Sequence, residues 1–238
     1  MRRVGILGGM GPQATILLMQ KVLEAIPAED DADHIPLIVD QNPQVPSRIR
    51  HLIEGTGEDP APVLADMARR LVEGGATALA MPCNTAHHYL PAIRSAVGVP
   101  FLDMVELSVA QAARLVGDNR RVGILASPAV RKIGLFDERL ARIGIQTTYP
   151  GEEAAMLAAI RQIKTSGPGP EAFAILRAAS DELLQRGATV QMIACTEFSL
   201  VSGAPAAGAT AFDTLDVLVR AIKDYTMQPL APADRPKN

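Results

Sequence analysis

The chain has 238 residues, of which 48% are hydrophobic and 3% aromatic, and its formal net charge is −3. This length and apolar content suit one large or two small domains with a full core, whereas the lack of a basic block argues against a nucleic-acid partner. No apolar run approaches a membrane span, and the apolar start stops at Gly8-Gly9, too early for a signal peptide. With two cysteines in all, we expect a cytoplasmic, reducing location in which thiols serve chemistry.

Short apolar runs alternate with amphipathic segments along the chain, which predicts an α/β fold with parallel sheets and right-handed crossovers. The predicted strands are residues 3–7, 35–40, 76–81, 121–126, 146–149 and 189–194. The predicted helices are residues 14–26, 63–74, 85–97, 132–143, 154–164 and 172–186, the first with Leu17, Leu18, Val22 and Leu23 facing inward. Residues 41–50 are expected to form a structured loop that carries Ser47 and Arg48, and the Pro-rich tail from Gln228 is expected to be disordered.

A glycine-rich turn follows the first predicted strand. Its residues, Gly9-Met10-Gly11-Pro12-Gln13-Ala14, match the dinucleotide fingerprint G-x-G-x-x-A, and Asp40 stands where a ribose ligand would. A nicotinamide-dependent oxidoreductase is therefore one hypothesis. Pro12 counts against it, because proline removes a backbone N–H donor from the helix N-terminus that would hold the pyrophosphate. The other interpretation is a tight turn that brings backbone N–H groups to a cleft.

An internal repeat indicates two similar halves. The segment Arg2-Arg3-Val4-Gly5-Ile6-Leu7 recurs as Arg120-Arg121-Val122-Gly123-Ile124-Leu125. The segment Gly75-Ala76-Thr77, five residues before Cys83, recurs as Gly187-Ala188-Thr189 before Cys195. We therefore predict two Rossmann-like α/β domains related by a pseudo-twofold axis, with the active site in the cleft between them. The expected division is residues 1–100 plus 210–238 for the first domain and 101–209 for the second.

The two cysteines end equivalent predicted strands. Each is followed by a residue that can cap a helix, Asn84 after Cys83 and Thr196 after Cys195. Such turns face the carboxyl edge of a sheet, where α/β folds bind ligands, and a following helix N-terminus favours thiolate. We therefore expect both thiols to flank one cleft.

Other residues near the cysteines allow two interpretations each. Cys83 and His87 stand four residues apart, so a metal site that also includes His88 and Cys195 is conceivable. This spacing is common, however, and the preferred interpretation is that the histidines lie on a capped helix without a metal. Glu197 either serves the first turn of its helix or orients the Cys195 thiol. Lys164 complements a helix C-terminus or faces the cleft. Arg48 is either a solvated loop cation or a cleft residue.

Three motifs together resemble the aspartate/glutamate racemase superfamily over essentially the whole chain, and its aspartate racemase branch in particular. They are Gly5-Ile6-Leu7-Gly8-Gly9-Met10-Gly11-Pro12, Pro82-Cys83-Asn84-Thr85-Ala86-His87 and Cys195-Thr196-Glu197. Glu197 favours the aspartate branch, since glutamate racemases typically have histidine there. The resemblance implies a racemase that needs no cofactor and no metal, acts on a small amino acid and is commonly a homodimer.

The resemblance also assigns roles to individual residues. It implies that Cys83 and Cys195 are the acid/base pair. The implied binding residues are Asn84, Thr85 and Thr196 for the α-carboxylate, Arg48 and Lys164 as cleft cations, and Met10 in the glycine loop, with Glu197 in support.

Departures from the family pattern bear on the substrate. The chain has Pro46-Ser47-Arg48-Ile49 where aspartate racemases usually have Pro-Asp-Arg-Thr. It also has Ala126-Ser127-Pro128-Ala129-Val130 and Phe136 in place of Ala-Thr-x-Gly-Thr and a tyrosine. Aspartate is the first expected substrate, with glutamate or another amino acid next. A related isomerase, the oxidoreductase and a two-lobed sensor without chemistry are the alternatives, whereas a decarboxylase of the superfamily needs only one cysteine.

Overall fold

The computed structural model describes residues 1–228 and contains two four-stranded parallel sheets. The strands of the first sheet are β1 (Val4–Gly8), β2 (Leu37–Gln41), β3 (Ala78–Ala80) and β4 (Phe101–Leu102). Those of the second are β5 (Arg121–Leu125), β6 (Gln146–Thr148), β7 (Val190–Ile193) and β8 (Thr210–Asp213). The orders β2-β1-β3-β4 and β6-β5-β7-β8 are equivalent. The predicted α/β fold with two similar halves is confirmed.

The repeated glycine explains why the same motif begins both halves. A Cβ atom at Gly5 would lie 2.8 Å from the side chains of Ala76 and Leu79, and one at Gly123 would lie 2.8 Å from Leu183. No other residue fits where a helix and the following turn pack this closely on the first strand of each sheet. The motif is therefore a packing requirement that both halves share.

Nine helices surround these sheets within residues 1–228. Their bounds are α1 (Pro12–Glu24), α2 (Ala61–Glu73), α3 (Leu90–Ala96), α4 (Met104–Leu115), α5 (Pro128–Lys132), α6 (Asp137–Arg142), α7 (Glu153–Ser166), α8 (Pro170–Gln185) and α9 (Thr214–Met227). No helix of this described part is long and apolar enough to cross a membrane. The predicted tail falls outside the described residues, apart from Gln228.

Three details of the helix predictions are wrong. The predicted helix 132–143 is two helices, α5 and α6, since Gly134 between them has a φ of +60°. The predicted helix 85–97 begins as a 3₁₀ turn, Thr85–Tyr89, before α3. Leu23 was expected to face inward but is 47% exposed. The buried residues of α1 are Ala14, Thr15, Leu18 and Val22, and Leu17 packs partly buried against the same core.

The chain passes from one half to the other after β4 and again after β8. The expected boundaries assign residues 101–102 to the second domain and residues 210–213 to the first, but β4 pairs with β3 and β8 pairs with β7. Each fourth strand therefore completes the sheet that precedes it. Helix α9 then returns to the first half, where Leu215, Leu218 and Ile222 share a core with β1. The division into two domains otherwise stays a prediction.

Candidate active site

A cavity of about 450 Å³ opens between the two halves and is lined by both. This volume is typical of a site for a small molecule, which fits between about 300 and 1,000 Å³. The predicted site residues that line the cavity are Met10, Arg48, Cys83 and Thr85 from the first half and Lys164, Cys195 and Glu197 from the second. Residues from opposite halves of the chain thus converge on one space, as the repeat predicted.

The two thiols enter this cavity from equivalent positions. Cys83 follows β3 and Cys195 follows β7, the third strand of each half, and both are free and only 7% exposed. Because parallel strands end at the same edge of a sheet, the equivalent turns of the two halves can face each other across a cleft. The cavity therefore has one thiol from each half.

Glu197 distinguishes one thiol from the other. The Cys195 thiol donates a hydrogen bond to Glu197 Oε2 at 3.1 Å, and Lys164 Nζ forms an ion pair with Glu197 Oε1. Burial, followed by the charge of Glu197 and this hydrogen bond, raises the pKa of Cys195 well above its usual value. Cys195 therefore holds its proton at neutral pH. The expected preference for thiolate is wrong for this cysteine, since the next helical turn begins only at Phe198.

The charge of Lys164 is fixed by the same ion pair. Burial alone would lower its pKa, but the charge of Glu197 and their hydrogen bond outweigh burial and raise it. Lys164 stays protonated beside a carboxylate. The pair adds no net charge to the cavity.

Arg48 lies on a loop that is anchored to both halves. Its guanidinium donates to the carbonyl oxygens of Val45 at 3.2 Å and Pro46 at 2.9 Å. Beyond it, the loop becomes a helical turn, Arg50–Glu54, and Lys132 of α5 in the second half donates to Ile53 O at 2.9 Å. These contacts hold a cation at the cavity wall.

The glycine turn packs against the other half of the site. Gly9 has a φ of +91°, and a Cβ there would lie 2.4 Å from the backbone of Asn42. Its N–H donates to Thr15 Oγ1 at 2.9 Å. A Cβ at Gly11 would lie 3.4 Å from both Lys164 Nζ and Glu197 Oε1. The N–H of Gly9 is thus used inside the turn, which disfavours the dinucleotide hypothesis.

Asn84 and Thr196 differ from the other predicted site residues. Both are 2% exposed, and neither is among the residues that line the cavity. Asn84 does not cap the following turn with its side chain but donates to Thr214 Oγ1 at 3.0 Å. Thr196 donates to Pro82 O at 3.1 Å. The expected capping roles are wrong for these residues.

The histidines after Cys83 have structural contacts. His87 is buried, its Nδ1 lies 2.8 Å from Cys83 O, and burial lowers its pKa. His88 packs edge-on against Tyr89. Within residues 1–228, no group of three or more His, Cys, Asp or Glu side chains is placed to hold a metal ion.

Ser127 is a cavity residue that was not predicted from the sequence. This residue lines the cavity and is 6% exposed, and its buried hydroxyl has no hydrogen-bond partner among residues 1–228. The departure from the family pattern at residues 126–130 was the feature of the sequence that could have indicated a site residue here. Phe136, the other departure, is fully buried in the core of the second half and does not line the cavity.

Comparison with known proteins accounts for this arrangement. The family model described as Asp/Glu/hydantoin racemase matches residues 7–222. The chain belongs to this racemase family. The resemblance found in the sequence is thereby confirmed, and the protein is an amino-acid racemase in the broad sense of the family.

Two proteins illustrate the similarity to other members of the racemase family. The chain is 25% identical over 203 residues to the broad specificity amino-acid racemase RacX of Bacillus subtilis (strain 168), covering 83% of this chain and 86% of RacX. Its fold is similar to that of Picrophilus torridus aspartate racemase, with a TM-score of 0.84, 23% identity and coverage of 98% of this chain and 97% of the other.

A glutamate racemase shares the fold more distantly. The enzyme of Francisella tularensis subsp. tularensis SCHU S4, solved in complex with D-glutamate, has a TM-score of 0.63 and 16% identity, and the match covers 94% of this chain and 80% of that one. The two-sheet architecture is thus common to structures of aspartate and glutamate racemases.

Proposed function

We propose that the protein racemises an amino acid, aspartate being the first candidate, by moving protons between the substrate α-carbon and the thiols of Cys83 and Cys195. The observation that carries the proposal is that these thiols reach one cavity from equivalent strand ends of two halves. No pyridoxal phosphate, nicotinamide or metal enters the proposed reaction.

The chemistry needs two proton carriers. Inversion at an α-carbon removes its proton from one face and returns a proton to the other, so an acid and a base on opposite faces suit the task. In the proposed starting state, Cys195 is the thiol, because Glu197 accepts its proton in a hydrogen bond. Cys83, as thiolate, takes the α-proton, and Cys195 delivers its own proton to the resulting carbanion. The products are the opposite enantiomer, a Cys83 thiol and a Cys195 thiolate.

The cations of the cavity supply the electrostatic part of the proposal. A carbanion beside a carboxylate is costly to form, and a nearby cation lowers that cost by neutralising the carboxylate. Arg48 is the proposed partner of a substrate carboxylate, with Thr85 as a hydroxyl donor and Met10 as an apolar wall. Lys164 takes part as a pair with Glu197.

The side chain of the substrate is the open part of the proposal. The structural likeness to an aspartate racemase and the positive charge of Arg48 support an acidic amino acid. The similarity to RacX, a broad specificity amino-acid racemase, supports a wider range of amino acids. The cavity also has apolar lining residues such as Ile160 and Leu200, which suit a longer or apolar side chain. A cytoplasmic location and a homodimer stay predictions.

A panel of amino acids tests the proposal. After dialysis against a chelator, the protein in a reducing buffer is incubated with single L-amino acids and no added cofactor, and the D-enantiomers are measured by chiral chromatography. We expect D-aspartate to form fastest. If another amino acid is preferred, it replaces aspartate as the proposed substrate, and the proposed racemase activity stands. Turnover that requires added metal, pyridoxal phosphate or NAD would contradict the proposed mechanism.

The role of Glu197 predicts a change in the pH profile. In the proposed reaction the basic limb of kcat/KM reports loss of the Cys195 proton, because the enzyme with two thiolates has no acid. The variant Glu197→Gln removes a negative charge that raises the pKa of Cys195 and leaves Lys164 unpaired beside the thiol. Both changes lower this pKa, so the basic limb moves to lower pH.

The measurement is kcat/KM between pH 6 and 10, with Glu153→Gln on the surface of α7 as the matched control. Glu153 is paired with Arg131 and does not line the cavity, so its variant keeps the wild-type profile. A basic limb in Glu197→Gln that stays at the wild-type pH, or moves up, would show that Glu197 does not hold the Cys195 proton.

A further inference from the structure

The carbonyl groups of the two cysteines are bonded differently in the two halves. In the second half, Cys195 O accepts a backbone hydrogen bond from Phe198 N at 2.9 Å. In the first half, Cys83 O lies 2.8 Å from the side-chain Nδ1 of His87. The backbone bond of this turn is shifted by one residue and runs from His87 N to Asn84 O at 3.0 Å. The imidazole of His87 thus takes the place of a backbone donor.

The surroundings of the His87 ring decide which nitrogen carries a proton. Nδ1 faces Cys83 O, whereas Nε2 lies 3.9 Å from Asp103 Oδ1, beyond hydrogen-bond distance, and has no partner among residues 1–228. Both facing oxygens are acceptors, so the close contact at Nδ1 requires a proton there. Asp103 has other partners, since it caps α4 and pairs with Arg94.

The ring carries one proton rather than two. His87 is 4% exposed, and burial lowers its pKa despite the opposing effects of the Asp103 charge and the bond to Cys83 O. The positive charges of Arg139 and Arg94 lower this pKa further. The neutral Nδ1–H form therefore accounts both for the short contact to Cys83 O and for the unpaired Nε2.

We propose that His87 is a positioning residue that holds the turn at Cys83, and with it the Cys83 thiol, by donating a hydrogen bond from Nδ1 to Cys83 O. The proposal rests on the proposed racemisation, in which Cys83 takes the α-proton. His87 does not line the cavity, and its hydrogen bond goes to the carbonyl and not to the thiol. It therefore acts through the backbone of Cys83 rather than as an acid or base.

Loss of this bond acts mainly on turnover. A buried carbonyl without a donor is costly, so the turn would move until Cys83 O found another partner. A displacement of about 1 Å at a reacting group costs on the order of 100-fold in rate. Arg48, the proposed partner of the substrate carboxylate, lies on a different loop. We therefore expect kcat to change more than KM.

Two amide variants test the two ring nitrogens separately. In His87→Asn the amide nitrogen falls near the position of Nδ1 and can still donate to Cys83 O. In His87→Gln it reaches the position of Nε2 and faces Asp103, which leaves Cys83 O without its donor. We expect kcat of His87→Gln to fall by about 10- to 100-fold with KM close to wild type, and His87→Asn to keep most of the activity. Wild-type kcat in His87→Gln, or an equal loss in both variants, would overturn the proposal.

Ser199→Ala is the matched control, because Ser199 stands four residues after Cys195 as His87 does after Cys83. It is 3% exposed, and its hydroxyl donates to Asp213 Oδ1 at 2.9 Å. The variant removes a buried hydrogen bond at the equivalent position but leaves the backbone bond to Cys195 O, so it should retain wild-type kcat. A loss as large as that of His87→Gln would show a general effect of this position and would contradict the positioning role.

The wild-type protein itself gives a readout that depends on no variant being active. The chain has four histidines, and the ¹⁵N signals of the His87 ring are assigned by their absence in His87→Asn. At pH 7 we expect a ring protonated on Nδ1 alone. A proton on Nε2, with or without one on Nδ1, would show that His87 serves Asp103 instead, and the proposal would be wrong.

A cross-linking assay separates this proposal from the proposed function. The chain has two cysteines in all, so dibromobimane, which becomes fluorescent when it links two thiols, reports the pairing of Cys83 with Cys195. We expect the ratio of linked to singly alkylated protein to fall in His87→Gln and to stay unchanged in Ser199→Ala. If the wild-type protein racemises no amino acid, the proposed function fails and this ratio decides the positioning role. An unchanged ratio in His87→Gln would refute it.

Discussion

Replacing either cysteine with alanine is expected to abolish racemisation, with a loss of at least about 10²- to 10⁴-fold, because each variant removes the proton carrier of one face. The fold should survive, since both side chains are small and free, and alanine fills most of the same buried space. Thermal unfolding of Cys83→Ala and Cys195→Ala checks the fold, and chiral chromatography checks the activity. An active single variant would contradict the pairing of the thiols.

Solvent deuterium gives the sharper form of this test. In deuterated water, the wild-type enzyme started from one enantiomer should place deuterium mainly in the opposite enantiomer. The donor thiol exchanges with solvent, while the abstracting thiol holds the proton of the substrate. A single base would return label to both enantiomers from the outset. Early label in recovered starting enantiomer, comparable to that in product, would contradict opposed thiols even if both cysteines proved essential.

The single-cysteine variants extend this experiment. Cys195→Ala retains the proposed base Cys83, so it should exchange the α-proton of one enantiomer with solvent without inverting it. Cys83→Ala retains Cys195, which holds its proton at neutral pH, so it should exchange the α-proton of the other enantiomer only at alkaline pH. Cys83→Ala and Cys195→Ala should therefore label opposite enantiomers. Labelling of the same enantiomer by both variants would place the two thiols on one face.

Patterns that are local in the sequence predicted the features that positioned the thiols. The repeat around Gly5 and Gly123 predicted two similar halves, since the same close packing is needed in each. An apolar run followed by a polar residue predicted the turns at Cys83 and Cys195. These signals work because strand burial and turn formation depend mostly on neighbouring residues.

Features that depend on distant residues were not predictable in this way. Asn84 and Thr196 look like helix caps in the sequence, but their hydrogen bonds go to Thr214 and Pro82 in other parts of the chain. The same holds for the pairing of β8 with the second sheet, because a strand has no local signal for its partner. Helix α9 did have a local signal that was missed, an Asp213 cap before an apolar stripe, as its core contacts show.

The charges of the cavity predict unequal roles for its two cations. Lys164 is neutralised by Glu197, whereas Arg48 donates to backbone carbonyls, which leave its positive charge available to a substrate carboxylate. Arg48→Ala is therefore expected to lower kcat/KM for an acidic substrate by about 10²-fold or more, the order found when one electrostatic donor is removed from an active site. Arg48→Lys should recover part of this loss, since it keeps the charge but not the planar guanidinium.

Arg50→Ala is the matched control for Arg48→Ala, because Arg50 lies two residues further along the same loop, is exposed and does not line the cavity. Its kcat/KM should equal that of the wild type.

Lys164→Ala should act differently, since it leaves Glu197 buried without its cation, and the unshielded carboxylate raises the pKa of Cys195 further. The basic limb of the pH profile then moves to higher pH in Lys164→Ala and stays in place in Arg48→Ala. Wild-type kcat/KM in Arg48→Ala, or the same shift of the basic limb in both variants, would show that Arg48 and Lys164 do not have these different roles.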